Sequence, residues 1–252
     1  MKHLSISNQF ARAILIAATS LAFTALAGDA SPARESIEWC DIWVPHVNDH
    51  PLPRVLLIGD SITRGYYPAV EKRLEGKAYV ARLATSAFIT DPALLQEIVL
   101  VLDNYRFDVI QFNNGMHGWQ HGEAEYRAGF PKFLAAIREH ARGAKLIWAD
   151  TTPLKNDSAN SESKEPAAAS GKGVDAGKLM LKKDLTTASD ERIAARNAIA
   201  RELIKPYGIP ADDLYTPMLG HPEFHNGNVH FNAQGIAVQG RLVAEHIEKL
   251  LK

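Results

Sequence analysis

The chain has 252 residues, 46% of them hydrophobic and 23% charged, with a formal net charge of -1. This is the make-up of an ordinary globular chain, with no basic stripe for nucleic acid and no low-complexity tract large enough to dominate it. A single cysteine, Cys40, excludes an intrachain disulfide framework, so burial of apolar surface must hold the fold.

Residues 1–27 place Lys2, His3 and Arg12 ahead of or at the edge of the apolar stretch Ala13 to Ala27, which closes on Ala25-Leu26-Ala27. That pattern predicts a cleavable secretory leader and a secreted or periplasmic protein with no membrane span after cleavage. The leader holds two of the 28 basic residues and none of the 29 acidic ones, so the remainder carries -3. Residues 28–53, with Trp39 and Trp43, read as an N-terminal arm packed on a domain spanning 54–252. Cys40 has no adjacent histidine and is expected as a packed thiol, not a nucleophile.

From Arg54 onward, strand-like and helix-like segments alternate, which predicts a parallel sheet covered by helices on both faces. The short apolar run Val55–Gly59 is the first strand, followed by a helix from Tyr67 to Leu74. A second strand over Tyr79–Leu83 leads to a helix over Pro92–Leu102 with Asp91 as its cap. A third strand, Phe107–Phe112, precedes a helix from Glu123 to His140, and Lys145–Ala149 is the fourth strand. Residues 155–188, rich in Ser, Ala, Lys and Gly, read as a flexible surface insertion beside the active face, either a lid or padding. A helix from Asp190 to Lys205, a short fifth strand near Ile209 and a final helix opened by Asn232 complete the chain.

Gly59-Asp60-Ser61 stands at the carboxyl end of the first strand, where open α/β sheets bind ligands. A serine there is either a helix cap or a nucleophile facing the crevice. Near the C-terminus, Gly227-Asn228-Val229-His230-Phe231-Asn232 presents His230 just before the last helix, and an imidazole has the basicity to activate a serine hydroxyl. After the third strand, Asn113-Asn114-Gly115-Met116-His117-Gly118 gathers hydrogen-bonding side chains and two glycines, read as either an oxyanion-binding loop or a plain Asn/Gly turn. Trp119, one residue further, is either a stacking face for a sugar or a packed indole.

Taken in this order, the blocks resemble the SGNH (GDSL-type) hydrolases over roughly Arg54 to Lys249, in a branch with Gly-x-His in place of Gly-x-Asn in the third block. The resemblance implies a three-layer flavodoxin-like α/β sandwich with a five-stranded parallel sheet in the order 2-1-3-4-5. It also implies a serine esterase without a cofactor or metal, acting on carboxylic esters, often acetyl groups on sugars. By it, Ser61 is the nucleophile and His230 the base. The oxyanion hole would be formed by the N–H groups of Ser61 and Ala87 with the side chain of His117 or, on an alternative count, Asn114.

The chain departs from the family pattern at Ala87, where the family has Gly, at His117, where it has Asn, and at Gly227, where it has the Asp that orients the histidine. Glu223, Asn226 or a backbone carbonyl is the expected substitute for that acid. Two rivals belong to other classes. His221 and His225 around Glu223, and His117 with His121, have the spacing of a metal-dependent hydrolase. A glycan-binding module that has lost its acid is the other. The expected partner is a small-molecule or polysaccharide ester, not a nucleic acid.

Overall fold

The computed structural model describes residues 33–155 and 188–252. The predicted leader and nearly all of the predicted insertion lie outside the described residues. The central sheet has six strands, in the order β1-β3-β2-β4-β5-β6. They are β1 Cys40–Trp43, β2 Arg54–Gly59, β3 Tyr79–Thr85, β4 Val109–Phe112, β5 Lys145–Ala149 and β6 Ala211–Asp212.

This corrects the expected five-stranded, wholly parallel sheet. β2 to β6 pair in parallel, but β1 lies antiparallel to β3, with Cys40 opposite Thr85 and Trp43 opposite Arg82. The cause is an edge: an uncovered β3 would present a row of unpaired N–H and C=O groups, and the arm pairs with them. The fifth parallel strand is only two residues long and begins at Ala211, just beyond Pro210, which cannot donate to a ladder. Cys40, on the outermost strand, is exposed and not packed in the core. Its sulfur is nonetheless partly shielded beside Glu97, and burial with that carboxylate pushes the thiol up to about 12, leaving it protonated and unreactive.

Helices α1 (Ser61–Arg73) and α5 (Ala233–Leu251) cover one face of the sheet. Helices α2 (Pro92–Asn104), α3 (Glu123–His140) and α4 (Asp190–Ile204) cover the other. Alternation along β2 serves both faces: Val55 and Leu57 join the core under α1 and α5, Leu56 and Ile58 the core under α2 and α3. All four are at most 1% exposed, each stabilising the fold by about 1.5–3 kcal/mol of transfer energy. α1 and α5 approach closely because Gly240 lies against Ala69, where an added Cβ would come within 2.5 Å of the Ala69 Cβ. That contact sets the spatial relation between the start of α1 and the chain entering α5. Among the described residues, no helix is long and apolar enough to cross a membrane.

Candidate active site

The turn from β2 into α1 has no spare room. A Cβ at Gly59 would stand 2.1 Å from Thr63 Oγ1, so glycine is needed for the strand to run directly into the helix. The helix begins at Ser61, six residues earlier than its hydrophobic periodicity suggested, because Asp60 caps it. The Asp60 side chain accepts from Ile62 N at 2.8 Å and its carbonyl accepts from Arg64 N at 2.9 Å. The cap is therefore Asp60, and the Ser61 hydroxyl is left for other work. At the first helical position the Ser61 N–H has no intrahelical acceptor and lies at the positive end of the helix dipole.

His230 reaches that hydroxyl from 169 residues away, with Nε2 2.8 Å from Ser61 Oγ. With Nε2 unprotonated the hydroxyl donates. His230 opens β8 (His230–Phe231), which pairs antiparallel with β7 (His225–Asn226). Gly227, with φ +81, turns the chain between them. Asn232 then caps α5, accepting from Gln234 N at 2.9 Å and Gly235 N at 3.2 Å while donating through Nδ2 to Glu223 O. The buried Phe231 anchors the hairpin in the α1/α5 core.

The loop after β4 supplies His117, buried together with the side chain of Glu35 from the arm; the two are 5% and 4% exposed. His117 Nδ1 lies 2.8 Å from Glu35 Oε2, and Gly118 N donates to Glu35 Oε1 at 2.8 Å. His117 Nε2 is buried and has no hydrogen-bond partner among the described residues. Burial pushes the His117 imidazole down, but the bond to Glu35 and the charges of Glu35, Asp60 and Glu38 outweigh it, so its pKa is raised.

Arg196 of α4 fixes the same loop from behind. Its guanidinium donates to the carbonyls of Gly115, His117, Gly118 and His121 at 2.8–3.3 Å and lies over the Trp119 ring. Burial lowers Arg196 to about 10, which still leaves it charged at neutral pH. Trp119 is 1% exposed, and this removes the sugar-stacking reading: the indole is packed against Arg196, not presented to solvent.

The other predicted positions fall less simply. The Ala87 N–H, expected in the oxyanion hole, donates instead to Thr85 Oγ1 at 3.1 Å. Asn114 donates through Nδ2 to Ala87 O at 2.9 Å, tying the loop after β4 to the chain leaving β3, while its own backbone carbonyl accepts from the Tyr126 hydroxyl. Its amide acts as a brace, while His117 Nε2 in the same loop has no hydrogen-bond partner among the described residues. The Glu223 carboxylate lies 2.7 Å from His221 Nδ1 at the surface. Asn226 stands directly opposite His230 in the hairpin.

The paired histidines of the metal reading are occupied elsewhere: His121 stacks on Phe88, and His225 packs against Phe231. Among the described residues, no group of three His, Cys, Asp or Glu side chains is arranged to hold a metal. Sequence reasoning missed Glu35, Arg196 and Thr85. Glu35 and Glu38, two acids just before an aromatic in the arm, are the only local sign that this segment does more than pack.

No protein-family model matches the sequence and no curated protein aligns with it. Solved structures do match. A GDSL-like lipase from Bacteroides thetaiotaomicron superimposes with a TM-score of 0.58 at 16% identity, over 78% of this chain and 88% of that one. A carbohydrate esterase family 3 protein from Talaromyces cellulolyticus gives 0.56 at 14% identity, over 79% and 98%. An acetyl xylan esterase gives 0.54 at 16% identity, over 77% and 99%. The chain has the fold of the SGNH hydrolases. In that fold, the Ser61 turn follows the central strand β2 and the His117 loop follows its neighbour β4, so both open at the carboxyl edge of the sheet.

Proposed function

We propose that the protein is a secreted or periplasmic serine esterase that removes small acyl groups, acetyl above all, from carbohydrate esters. The observation that carries the reading is the 2.8 Å contact between Ser61 Oγ and His230 Nε2 at the edge of the sheet. In the reaction, Nε2 takes the hydroxyl proton as Oγ bonds to the ester carbonyl carbon. The tetrahedral oxyanion is held by the Ser61 N–H and by the His117 ring. Collapse expels the alcohol, which takes its proton from His230. Water, deprotonated in turn by His230, releases the acid and restores Ser61. Asn226, across the hairpin from His230, is the candidate that orients the ring.

Small acyl groups are supported by what the loops do with their apolar side chains. Met116, Trp119 and Phe88 are buried in the described structure, so they line no long open channel for a fatty chain. Carbohydrate is supported by the names of two of the structural neighbours and by the leader-like residues 1–27.

The test uses the full chain with short-chain aryl esters and acetylated xylan, following acid release. Ser61→Ala should lose roughly four or more orders of magnitude in turnover, as should His230→Ala, because the two groups act as one unit. Full activity in Ser61→Ala ends this reading.

A further inference from the structure

Resting on the esterase reading, we infer that Glu35 of the N-terminal arm is a positioning residue that holds His117 as a doubly protonated imidazolium, making the side-chain oxyanion donor a full positive charge. Two observations and one chemical rule lead there. The Glu35 carboxylate takes both available donors of the loop, the His117 Nδ1–H and the Gly118 N–H, each at 2.8 Å. A carboxylate can only accept, so the ring proton facing it is on Nδ1. A neutral His117 with its proton on Nδ1 then has a bare lone pair at Nε2, which would repel an oxyanion. Only the cation presents Nε2–H. Finally, Nε2 is buried without a partner among the described residues, a place in the protein that waits for a ligand atom.

The surrounding charges agree. Glu35 and Glu38 from the arm and Asp60 from the nucleophile turn all favour the cation. Arg196 of α4 bonds to the loop's carbonyls, the His117 carbonyl included, and not to its ring. Arg64 of α1 lies over Trp39, which in turn meets the His117 ring edge-on at 6.2 Å. The arm therefore does more than cover a sheet edge: it places one buried carboxylate where it sets the charge of the site. Hydrogen bonds from a charged donor are roughly twice as strong as neutral ones, which is the advantage such a donor has over an amide.

The consequence is a second ionisation in catalysis. His230 must be neutral to accept the serine proton, so activity falls on the acid side. His117 must be charged to donate, so activity falls again as pH rises through its raised pKa. Glu35→Gln keeps the size of the side chain but leaves one acceptor for two N–H donors, so the ring becomes neutral through the neutral range.

The experiment compares pH profiles of kcat and KM for the wild type, Glu35→Gln, His117→Asn and the double variant, with p-nitrophenyl acetate. The expected result is that Glu35→Gln lowers kcat about tenfold or more, within the cost of one oxyanion donor, and removes the alkaline limb with KM little changed. His117→Asn, which installs an amide donor, has no alkaline limb. In that background, adding Glu35→Gln changes kcat by less than about threefold, because the carboxylate then has no charge to hold. An unchanged alkaline limb in Glu35→Gln, or an equal loss in both backgrounds, overturns the inference. A measurement on the wild type needs no variant: the His117 ring protons, followed by NMR, must report a cation at the pH of maximal activity, and a neutral ring there overturns it as well. A sulfonyl fluoride separates this from failure of the esterase reading. An adduct on Ser61 with either overturning result ends the inference alone, whereas no adduct and an active Ser61→Ala end both.

Discussion

The loops that carry His117 and His230 are built in opposite ways. The β4–α3 loop, which carries His117, is buried and tied from every side: by Arg196 behind, Glu35 in front, and Asn114 reaching to Ala87. The β7–β8 hairpin, which carries His230, consists of two-residue strands around an open glycine, with His221 and Glu223 paired at its surface. A group that stabilises charge must already be in place when the charge forms, since reorganisation then would raise the barrier. A base that shuttles a proton between serine and leaving alcohol tolerates a lighter mounting, because its hydrogen bond to the hydroxyl fixes it.

The largest effect that tests this contrast is Arg196→Met. It leaves the carbonyls of Gly115, His117 and Gly118 facing a thioether, and losing several charge-assisted bonds in a buried site costs about 3–5 kcal/mol. Denaturant unfolding reads the loss, and turnover should fall with it. A cost within the range of a surface substitution would mean that the loop holds itself and that the asymmetry is only apparent.

Two glycines make the next comparison, since both have positive φ. An alanine at Gly118 (φ +71) brings its Cβ within 2.2 Å of the Phe88 ring, whereas at Gly227 (φ +81) the Cβ meets nothing within 4 Å. Gly227→Ala should cost about 1 kcal/mol, from backbone conformation alone, and Gly118→Ala about 2–4 kcal/mol once overpacking is added. Equal costs in thermal or denaturant unfolding would erase the difference between the loops.

What could be read from the sequence follows the range of the interactions. The apolar run Val55–Ile58, the caps Asp91 and Asn232, and the bounds of α3 and β5 are local signals, and each stands where the pattern put it. The early start of α1 was hidden because Thr63, Arg64 and Gly65 dilute its periodicity, although Asp60 was a cap in plain view. β1 was read as part of an arm because Cys-Asp-Ile-Trp becomes a strand only through its pairing with β3. Ser61, His117 and His230 sit in compact sequence motifs, and the contact between Ser61 and His230 joins two of them. The contact of Glu35 was not legible, since its partner lies 82 residues away, and neither was the bond of the Ala87 N–H, whose acceptor is a threonine hydroxyl two residues back.

The smallest effects concern what steadies His230. Asn226 lies directly across the hairpin, where antiparallel partners present side chains on the same face, so Asn226→Ala should loosen the ring and lower kcat by about tenfold. Glu223→Ala should change it by less than about fivefold, because that carboxylate is exposed and engaged with His221, which holds it below the usual carboxylate range. The order matters more than either value. Removing the orienting acid of a serine–histidine–aspartate triad costs about four orders of magnitude, so a collapse of that size in Glu223→Ala would mean that the acid swings from His221 to His230 during turnover. The hairpin would then be as elaborately arranged as the loop opposite, with its order hidden in the resting state. A small loss in Glu223→Ala beside a larger one in Asn226→Ala instead puts the weight of catalysis on the buried, charge-holding side of the site.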